Sequence, residues 1–274
     1  MTGSKTSFPT TLFVGAGRMA SAIVQGLLAT GRAQPENLLC TCGQDPTGPA
    51  LAQRTGIRYV ADASEGLPEA DFVLLACKPQ QLASLPESLA EETSGKLILS
   101  ILAGIPLARL RQVAPKARNV VRVMPNTPAQ IGQGISAYAS DQPLSEDDQS
   151  AVEILLSSMG KTIQLEESHI DAVTALSGSG PAYVFEFTRL LAEAGKSLGL
   201  PEEVAAQLAR QTVVGSAALM DKREEADPIE LVREVTSPGG TTEAALKTLE
   251  GDFGKIVDRA LRAARDRSRE LSSM

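Results

Sequence analysis

The first residues that could do chemistry form a glycine-rich loop near the start of the chain. Gly15-Ala16-Gly17-Arg18-Met19-Ala20 has the pattern G-x-G-x-x-A and directly follows a short apolar run, Leu12-Phe13-Val14. In a strand–loop–helix unit the first glycine turns the chain and the second lets a pyrophosphate approach the backbone. The small last residue lets the helix pack on the strand. The loop therefore predicts a dinucleotide site, the alternative being a tight turn without a ligand.

A second loop with chemical potential lies near the other end of the chain. It has the sequence Ser237-Pro238-Gly239-Gly240-Thr241-Thr242 and precedes a segment of helical period. Exposed backbone N–H groups at a helix N-terminus, together with hydroxyls, suit the binding of a carboxylate. The alternative is an ordinary helix N-cap, the common use of serine or threonine before a helix.

Three further groups of residues, the Ser177–Gly180 run, His169 and the cysteines, are not expected to be catalytic or to bind a metal. Ser177-Gly178-Ser179-Gly180 could hold a nucleophilic serine, but the single histidine, His169, has no matching arrangement and is expected to be a cap or surface residue. That run is expected to serve close helix packing and the shape of the site. Cys40, Cys42 and Cys77 fall in predicted strands and cannot form a disulfide framework, which indicates a reducing, cytoplasmic compartment. No metal site is expected.

The elements that must position the loops change character at about residue 169. Before it, short apolar runs alternate with segments of helical period, which predicts a parallel sheet with helices on both faces. Strands are expected at residues 12–14, 38–42, 72–76, 97–100, 120–123, 135–139 and 162–165. Helices are expected at residues 18–29, 80–89, 106–113 and 145–159, the last with Ser145 and Asp148 as an N-terminal cap.

After residue 169 the chain is predicted to be helical except for the loop at residues 237–240. Helices are expected at residues 182–198, 201–220, 228–235, 242–249 and 254–271. The fold class is therefore α/β followed by all-α. A Rossmann-like doubly wound sheet is expected over residues 1–168, and a helical dimerisation and substrate-binding domain over residues 169–274. The helix after Pro201 is apolar on most sides, so a partner chain is expected to cover it.

Composition and charge exclude several classes of protein. The net charge of −7 argues against a nucleic-acid partner, because phosphate recognition requires a basic face. No stretch reaches the ~18 apolar residues of a membrane span. Residues 1–10 are polar and lack the apolar core of a signal peptide, so no signal peptide is expected.

Four further motifs accompany the glycine loop in a fixed order. They are Ala76-Cys77-Lys78-Pro79-Gln80, Arg122-Val123-Met124-Pro125-Asn126-Thr127-Pro128, Leu176-Ser177-Gly178-Ser179-Gly180-Pro181-Ala182-Tyr183, and Val235-Thr236-Ser237-Pro238-Gly239-Gly240-Thr241-Thr242. With the glycine loop, they resemble the pyrroline-5-carboxylate reductase family along essentially the whole chain. The resemblance implies an NAD(P)H-dependent imine reductase that converts 1-pyrroline-5-carboxylate to L-proline, the last step of proline biosynthesis.

The resemblance also implies which residues form the site. Those for the cofactor are the glycine loop, Gly15 to Ala20, with Gly43, Ala76, Lys78, Pro79, Ile101, Leu102, Ala103 and Asn126. Those for the substrate are Ser237, Gly239, Gly240, Thr241, Thr242 and Glu167, and Thr242 is expected to reach the ring nitrogen as the catalytic residue. Three have open alternatives: Lys78 as a solvated strand-end charge, Asn126 as an orienting group for a neighbouring loop, and Glu167 as a linker charge.

The chain departs from the family pattern at two positions. Glu234 stands where relatives often carry Asn or Met near the substrate, and Ala63 stands where some relatives use an Asn near the adenosine. The substrate contact at the first position is therefore in doubt, and the hydrogen bond at the second is not expected.

The end of the second predicted strand bears on the choice of cofactor. Enzymes that use NAD usually place an acid there to bind the ribose hydroxyls, but this strand ends Cys42-Gly43-Gln44 and the first acid is Asp45. This favours NADPH over NADH. No arginine lies in that turn, and the nearest candidates for a 2′-phosphate are Arg18 and Arg54.

The resemblance implies a homodimer or a ring of dimers. The helical domains would interlock, and each substrate site would combine one chain's cofactor domain with its partner's loop.

Two rival functions can be distinguished from an imine reductase. A β-hydroxyacid dehydrogenase is expected to carry Lys-x-x-x-Asn near the domain junction, but no asparagine follows Asn126. A non-catalytic dinucleotide sensor would bind NADPH without turnover.

Overall fold

The computed structural model describes residues 8–84 and 89–272. The chain forms two compact units. The first runs to Gly178 and resumes at Ala264, and the second is Ser179–Ala263. The start of the predicted helical domain and the last turns of the final helix therefore belong to the first unit.

The first unit is built on an eight-stranded sheet with the order β3-β2-β1-β4-β5-β6-β7-β8. The strands are β1 Thr11–Val14, β2 Leu38–Thr41, β3 Arg58–Tyr59, β4 Phe72–Leu75, β5 Leu97–Ser100, β6 Asn119–Met124, β7 Gly134–Ser140 and β8 Gly160–Gln164. Because β1 lies between β2 and β4, the strand order reverses there. In doubly wound sheets ligands bind at the carboxyl ends of the strands beside such a reversal.

The central strands are buried on both faces of the sheet. Every residue of β1, β2, β4 and β5 is buried. Along β4, Phe72 and Leu74 enter one hydrophobic core, whereas Val73 and Leu75 enter the core on the opposite side. Continuous apolar sequence produces this arrangement because successive side chains of a strand point to opposite faces.

Seven helices accompany the sheet within the described part of the first unit. They are α1 Arg18–Ala29, α2 Thr47–Thr55, α3 Ala63–Gly66, α4 Leu89–Glu92, α5 Leu107–Val113, α6 Glu146–Ser157 and α7 Ile170–Val173. The predicted cap of α6 is present, since the Asp148 N–H donates to Ser145 Oγ at 3.2 Å.

Several sequence-based predictions for this unit were wrong. The helix expected at residues 80–89 is a 3₁₀ helix, Pro79–Ser84, followed by α4; residues 85–88 lie outside the described part of the chain. The Gln81 N–H donates to the Lys78 carbonyl at 2.8 Å, and the Lys78 N–H donates to Gln81 Oε1 at 2.9 Å. These local bonds favour a tight turn over an α-helix. The elements α2, α3, α4 and β3 were not predicted.

The sheet is also not parallel throughout, because β7 runs antiparallel to β6. The connection at residues 125–133 is too short for the crossover that a parallel pair requires. In addition, only Cys40 lies within a strand; Cys42 and Cys77 follow the ends of β2 and β4. All three are free thiols.

The second unit consists of helices. They are α8 Gly180–Ser197, α9 Glu202–Lys222, α10 Pro228–Glu234, α11 Thr241–Leu249 and α12 Phe253–Ser272, whose last turns belong to the first unit. The predicted bounds lie close to these. A β-carbon on Gly195 of α8 would lie 3.2 Å from the Ala205 β-carbon on α9, so the two helices approach closely. Ala205 and Ala209 are the only buried residues of residues 179–263.

Candidate active site

The first glycine of the glycine loop is required by the backbone. Gly15 has a φ of 113°, and its N–H donates to the Thr41 carbonyl at 2.9 Å. A β-carbon at this position would lie 2.5 Å from the Ala76 carbonyl group. The loop therefore passes directly over the ends of β2 and β4, and a side chain at Gly15 would push it away.

The second glycine has no such steric constraint, because the space beside it is open to a ligand. Gly17 is the N-cap of α1, and a β-carbon there would meet no protein atom within 4 Å. The N-terminus of a helix attracts negative charge through its free N–H groups and its dipole. The site therefore fits the pyrophosphate of a dinucleotide, and Gly17 lies where that group would come closest to the backbone.

A cleft of about 510 Å³ opens beside the loop at the carboxyl edge of the sheet. The predicted cofactor residues that line it are Gly15, Ala16, Gly17, Gly43, Ala76 and Lys78. Further lining residues, none of them predicted from the sequence to bind the cofactor, are Val14, Thr41, Cys42, Asp45, Thr47, Ala61, Asp62, Ala63, Cys77 and Gln81. Their common signal is that they stand at or just after the carboxyl ends of β1 to β4.

The remaining predicted cofactor residues lie outside the lining of this cleft. Ala20 is buried in the core, where the last position of the motif lets α1 pack on the sheet, while Arg18 is exposed and Met19 half-buried. Pro79 opens the 3₁₀ helix. Residues 101–103 follow β5, next to the end of β4; the Ile101 N–H donates to the Leu75 carbonyl at 3.1 Å. Leu102 is buried and Ala103 exposed.

Two carboxylates in the cleft wall accept hydrogen bonds from residues at the starts of helices. Asp45 Oδ1 accepts from the Thr47 N–H at 2.9 Å and from the Thr47 hydroxyl, and these hydrogen bonds hold the pKa of Asp45 below its usual range. Asp62 Oδ1 accepts from the Ser64 N–H at 2.9 Å, which likewise lowers the pKa of Asp62. Both are therefore charged at neutral pH, at the end of the cleft formed by β2 and β3.

Arg54, one candidate for a 2′-phosphate, joins α2 to α1. Its Nη2 donates to Ser21 Oγ at 2.7 Å.

The hydrogen bond of Asn126 favours its role as an orienting group for a neighbouring loop. Asn126 Oδ1 accepts from the Ile135 N–H at 2.9 Å and thereby fixes the start of β7.

Glu167 is held by two donors and is not a solvated linker charge. Its Oε1 accepts from the Leu107 N–H at 2.7 Å and from Arg122 Nη1 at 3.0 Å. The carboxylate therefore joins the residue that begins α5 to a buried residue of β6.

The predicted substrate loop has a defined pattern of used and free donors. Gly239 has a φ of 72°; its N–H donates to Glu243 Oε2 at 2.8 Å, and the Gly240 N–H donates to the Ser237 carbonyl at 2.9 Å. Within the described chain, the N–H groups of the next three residues, 241 to 243, find no acceptor. The free donors at the start of α11 are therefore the group that suits a carboxylate, together with the hydroxyl of half-buried Thr242.

Glu234, the departure from the family pattern, points its carboxylate at a partner of its own. Both of its oxygens accept from the Arg223 guanidinium, one of them at 2.8 Å. These hydrogen bonds hold the pKa of Glu234 below its usual range. The pair joins the end of α9 to the end of α10, just before the substrate loop.

The environments of His169 and of the Ser177–Gly180 run indicate structural roles. His169 is exposed and donates no cap bond, and Ser177 Oγ donates to the Val173 carbonyl at 3.2 Å. A β-carbon on Gly178 would lie 2.3 Å from Met124 Cε, so this run packs closely. Among residues 8–84 and 89–272, no three His, Cys, Asp or Glu side chains group as metal ligands do. None of the helices described is long and apolar enough to cross a bilayer.

Comparison with known proteins gives matches over nearly the whole chain. Residues 167–271 match the family model for pyrroline-5-carboxylate reductase dimerisation, and residues 10–104 match that for coenzyme F420-dependent NADP oxidoreductases. The pyrroline-5-carboxylate reductase of Pseudomonas aeruginosa is 41% identical over 269 residues, which cover 97% of this chain and 98% of that protein.

Two solved structures agree with these matches. A pyrroline-5-carboxylate reductase from Coxiella burnetii has a TM-score of 0.90 at 35% identity, covering 97% of this chain and 99% of that chain. A pyrroline carboxylate reductase from Plasmodium falciparum with NADP bound has a TM-score of 0.83 at 30% identity, with the same coverage.

The cleft and these matches define an NAD(P)H-dependent oxidoreductase with a Rossmann-like sheet and a helical region of the dimerisation type. The chain belongs to the pyrroline-5-carboxylate reductase family, whose members catalyse the last step of proline biosynthesis. The fold class and the family predicted from the sequence are thus confirmed.

Proposed function

We propose that this chain reduces the C=N bond of 1-pyrroline-5-carboxylate to give L-proline. The observation that carries the proposal is the substrate loop, where a glycine turn leads into α11. No group in the described part of the chain pairs with the N–H groups of residues 241–243 or with the Thr242 hydroxyl. Residues 15–17 line a cleft that fits the second reactant, a dinucleotide.

Each part of the chain has a defined task in this reaction. Residues 15–17 would hold a reduced nicotinamide dinucleotide, which when bound would supply the hydride for the imine carbon. The amides of residues 241–243 bind the substrate carboxylate at the positive end of the α11 dipole. The Thr242 hydroxyl orients the ring nitrogen, whose protonated form makes the imine carbon more electrophilic. Holding the two reactants in register supplies much of the rate, because a bimolecular step becomes effectively unimolecular.

NADPH is the proposed cofactor, and NADH is the alternative. The residues that directly follow β2, Cys42-Gly43-Gln44, include no acid to repel a 2′-phosphate, and the Plasmodium falciparum relative has NADP bound. Asp45 opposes this preference, since it is a charged carboxylate in the cleft wall. Its side chain is engaged by Thr47, which limits its use as a ribose acceptor.

The proposed assembly is a homodimer or a ring of dimers, with each substrate site made from one chain's cofactor unit and its partner's loop. The large apolar side chains exposed on α8 and α9 support it. A cytoplasmic location, the absence of a nucleic-acid partner, the division at residue 169 and the assigned site residues stay predictions of the sequence.

The test is a NADPH oxidation assay with 1-pyrroline-5-carboxylate, run in parallel with NADH. We expect loss of the NADPH absorbance coupled to proline formation, and a higher kcat/KM for NADPH than for NADH. NADPH binding without turnover would identify a dinucleotide sensor instead. Turnover of a β-hydroxyacid, with none of the cyclic imine, would favour the rival dehydrogenase.

A further inference from the structure

Arg122 is a buried cation that the proposed reaction does not use. It lies in β6, and its side chain is 5% exposed. Arg122 Nη1 donates to Glu167 Oε1 at 3.0 Å, and Nη2 lies 3.7 Å from Asp171 Oδ1. A buried charge is strongly unfavourable unless partners compensate it, so two carboxylates converge here on one fixed cation.

The first of these carboxylates connects Arg122 to the segment beside the cofactor cleft. The oxygen of Glu167 that pairs with Arg122 also accepts from the Leu107 N–H at 2.7 Å. Leu107 is the first residue of α5, and residues 101–106 connect it to β5. That connection contains Ile101, Leu102 and Ala103, which the family resemblance places beside the nicotinamide half of the cofactor.

The second carboxylate has a different task. Asp171 Oδ1 accepts from the Ser268 hydroxyl at 2.8 Å, so this arm holds the last turns of α12 on α7. Among the described residues, Asp171 pairs with Ser268 and Arg122 and forms no hydrogen bond or ion pair with residues 101–107. The two carboxylates on Arg122 therefore hold different segments.

We propose that Arg122 and Glu167 are positioning residues that set residues 101–107 against the nicotinamide half of the cofactor. This inference rests on the proposed function. A strand paired on both sides, as β6 is with β5 and β7, is a rigid anchor. A hydrogen bond to an ionised acceptor is also stronger than one between neutral groups. Hydride transfer is sensitive to displacements of about 1 Å, so a loosened connection slows the reaction without removing a substrate contact.

The test compares Glu167→Ala, Glu167→Gln and the matched control Asp171→Asn. In Glu167→Ala we expect kcat to fall about 10-fold and the isotope effect on kcat with deuterated NADPH to rise, with the substrate KM within about twofold. Glu167→Gln should restore most of kcat because its amide oxygen still accepts from Leu107. Asp171→Asn should lower Tm but leave kcat near wild type.

Hydrogen exchange on the cofactor-free protein gives a second measurement that needs no turnover. Glu167→Ala should lose protection at the Leu107 amide, whereas Glu167→Gln and Asp171→Asn should keep it. Equal falls of kcat in Glu167→Ala and Asp171→Asn would overturn the inference in favour of a general scaffold role. A raised substrate KM with unchanged kcat would instead make Glu167 a substrate ligand.

The same measurements separate this inference from the proposed function. If the wild type does not reduce 1-pyrroline-5-carboxylate, the proposed function fails. Unchanged Leu107 protection in Glu167→Ala would still overturn the positioning role, whatever the substrate is.

Discussion

The two units of the molecule bury their apolar residues to very different degrees. In the first, four neighbouring strands are wholly buried and two cores lie on opposite faces of the sheet. In the second, only Ala205 and Ala209 are buried, while Phe185 is 68% exposed and Leu208 is 52% exposed. A sheet covered by helices completes its own core, but helices that are apolar on most sides need another surface. The contrast favours a cofactor unit that is complete in one chain and a helical unit that is completed by a second copy.

The largest expected effect comes from placing a charge on the exposed apolar face of the helical unit. Phe185→Asp should raise the dimer dissociation constant by about 100–1,000-fold, because an exposed aromatic side chain that the proposed partner would cover is replaced by an unpaired charge. Analytical ultracentrifugation measures the constant. The matched control is Ile131→Asp, at an apolar side chain of the first unit that is 74% exposed. Wild-type dimerisation of the Phe185 variant would contradict the comparison.

Gly17→Asp tests whether the cofactor unit is complete within one chain. The Kd for NADPH should rise by about 100-fold, because a carboxylate would occupy the proposed pyrophosphate position. Tm and oligomeric state should stay near wild type, since a β-carbon there would meet no protein atom within 4 Å. Fluorescence titration and thermal melts measure both quantities.

Gly15→Ala provides the contrasting control. A β-carbon at Gly15 collides with the Ala76 carbonyl, so this variant should lose thermal stability. If Gly17→Asp binds NADPH normally, the cleft is not the cofactor site.

Thr242→Val tests the substrate side of the helical unit. The variant should lower kcat/KM by about 10–100-fold, the size of one lost polar contact to a reacting group, with NADPH binding unchanged. Thr248→Val on the same helix is the control, because the Thr248 hydroxyl donates only to the Ala244 carbonyl. Equal turnover by both variants would remove Thr242 from the site.

A mixture of the Gly17→Asp and Thr242→Val chains tests whether the active site is shared between the cofactor unit of one chain and the helical unit of another. After joint refolding, a site shared between chains should recover about a quarter of the wild-type activity, because half of the dimers carry one intact hybrid site. A site contained in a single chain would recover none, and a fully active monomer in sizing would contradict sharing altogether.

The smallest expected effect concerns the choice of cofactor. Asp45→Asn keeps an oxygen for Thr47 but removes a charge that the Thr47 hydrogen bonds maintain at neutral pH. The KM for NADPH should fall by about 2–4-fold and that for NADH should not change, because only NADPH carries a 2′-phosphate. Glu36→Gln, at an acid outside the cleft lining, is the control. An equal change for both cofactors would place the 2′-phosphate elsewhere.

The sequence determined the features that depend on neighbouring residues. The buried run at residues 72–75, the turn at Gly15 and the Ser145 cap follow from side-chain alternation, backbone sterics and local hydrogen bonding. For the same reason the helices of the second unit were predicted nearly to their ends. The motifs, read in order, were also enough to indicate the family.

Only the tertiary structure decided which distant groups meet. Strand order brings Asp45 and Asp62 into one cleft wall, and it places Arg122 beside Glu167, 45 positions further along the chain. A short connection turned β7 antiparallel, and the Gly239 amide of the expected cradle is used by Glu243. The physical reason is that periodicity fixes which face a side chain occupies, whereas its partner depends on strand order and register, which no local pattern encodes.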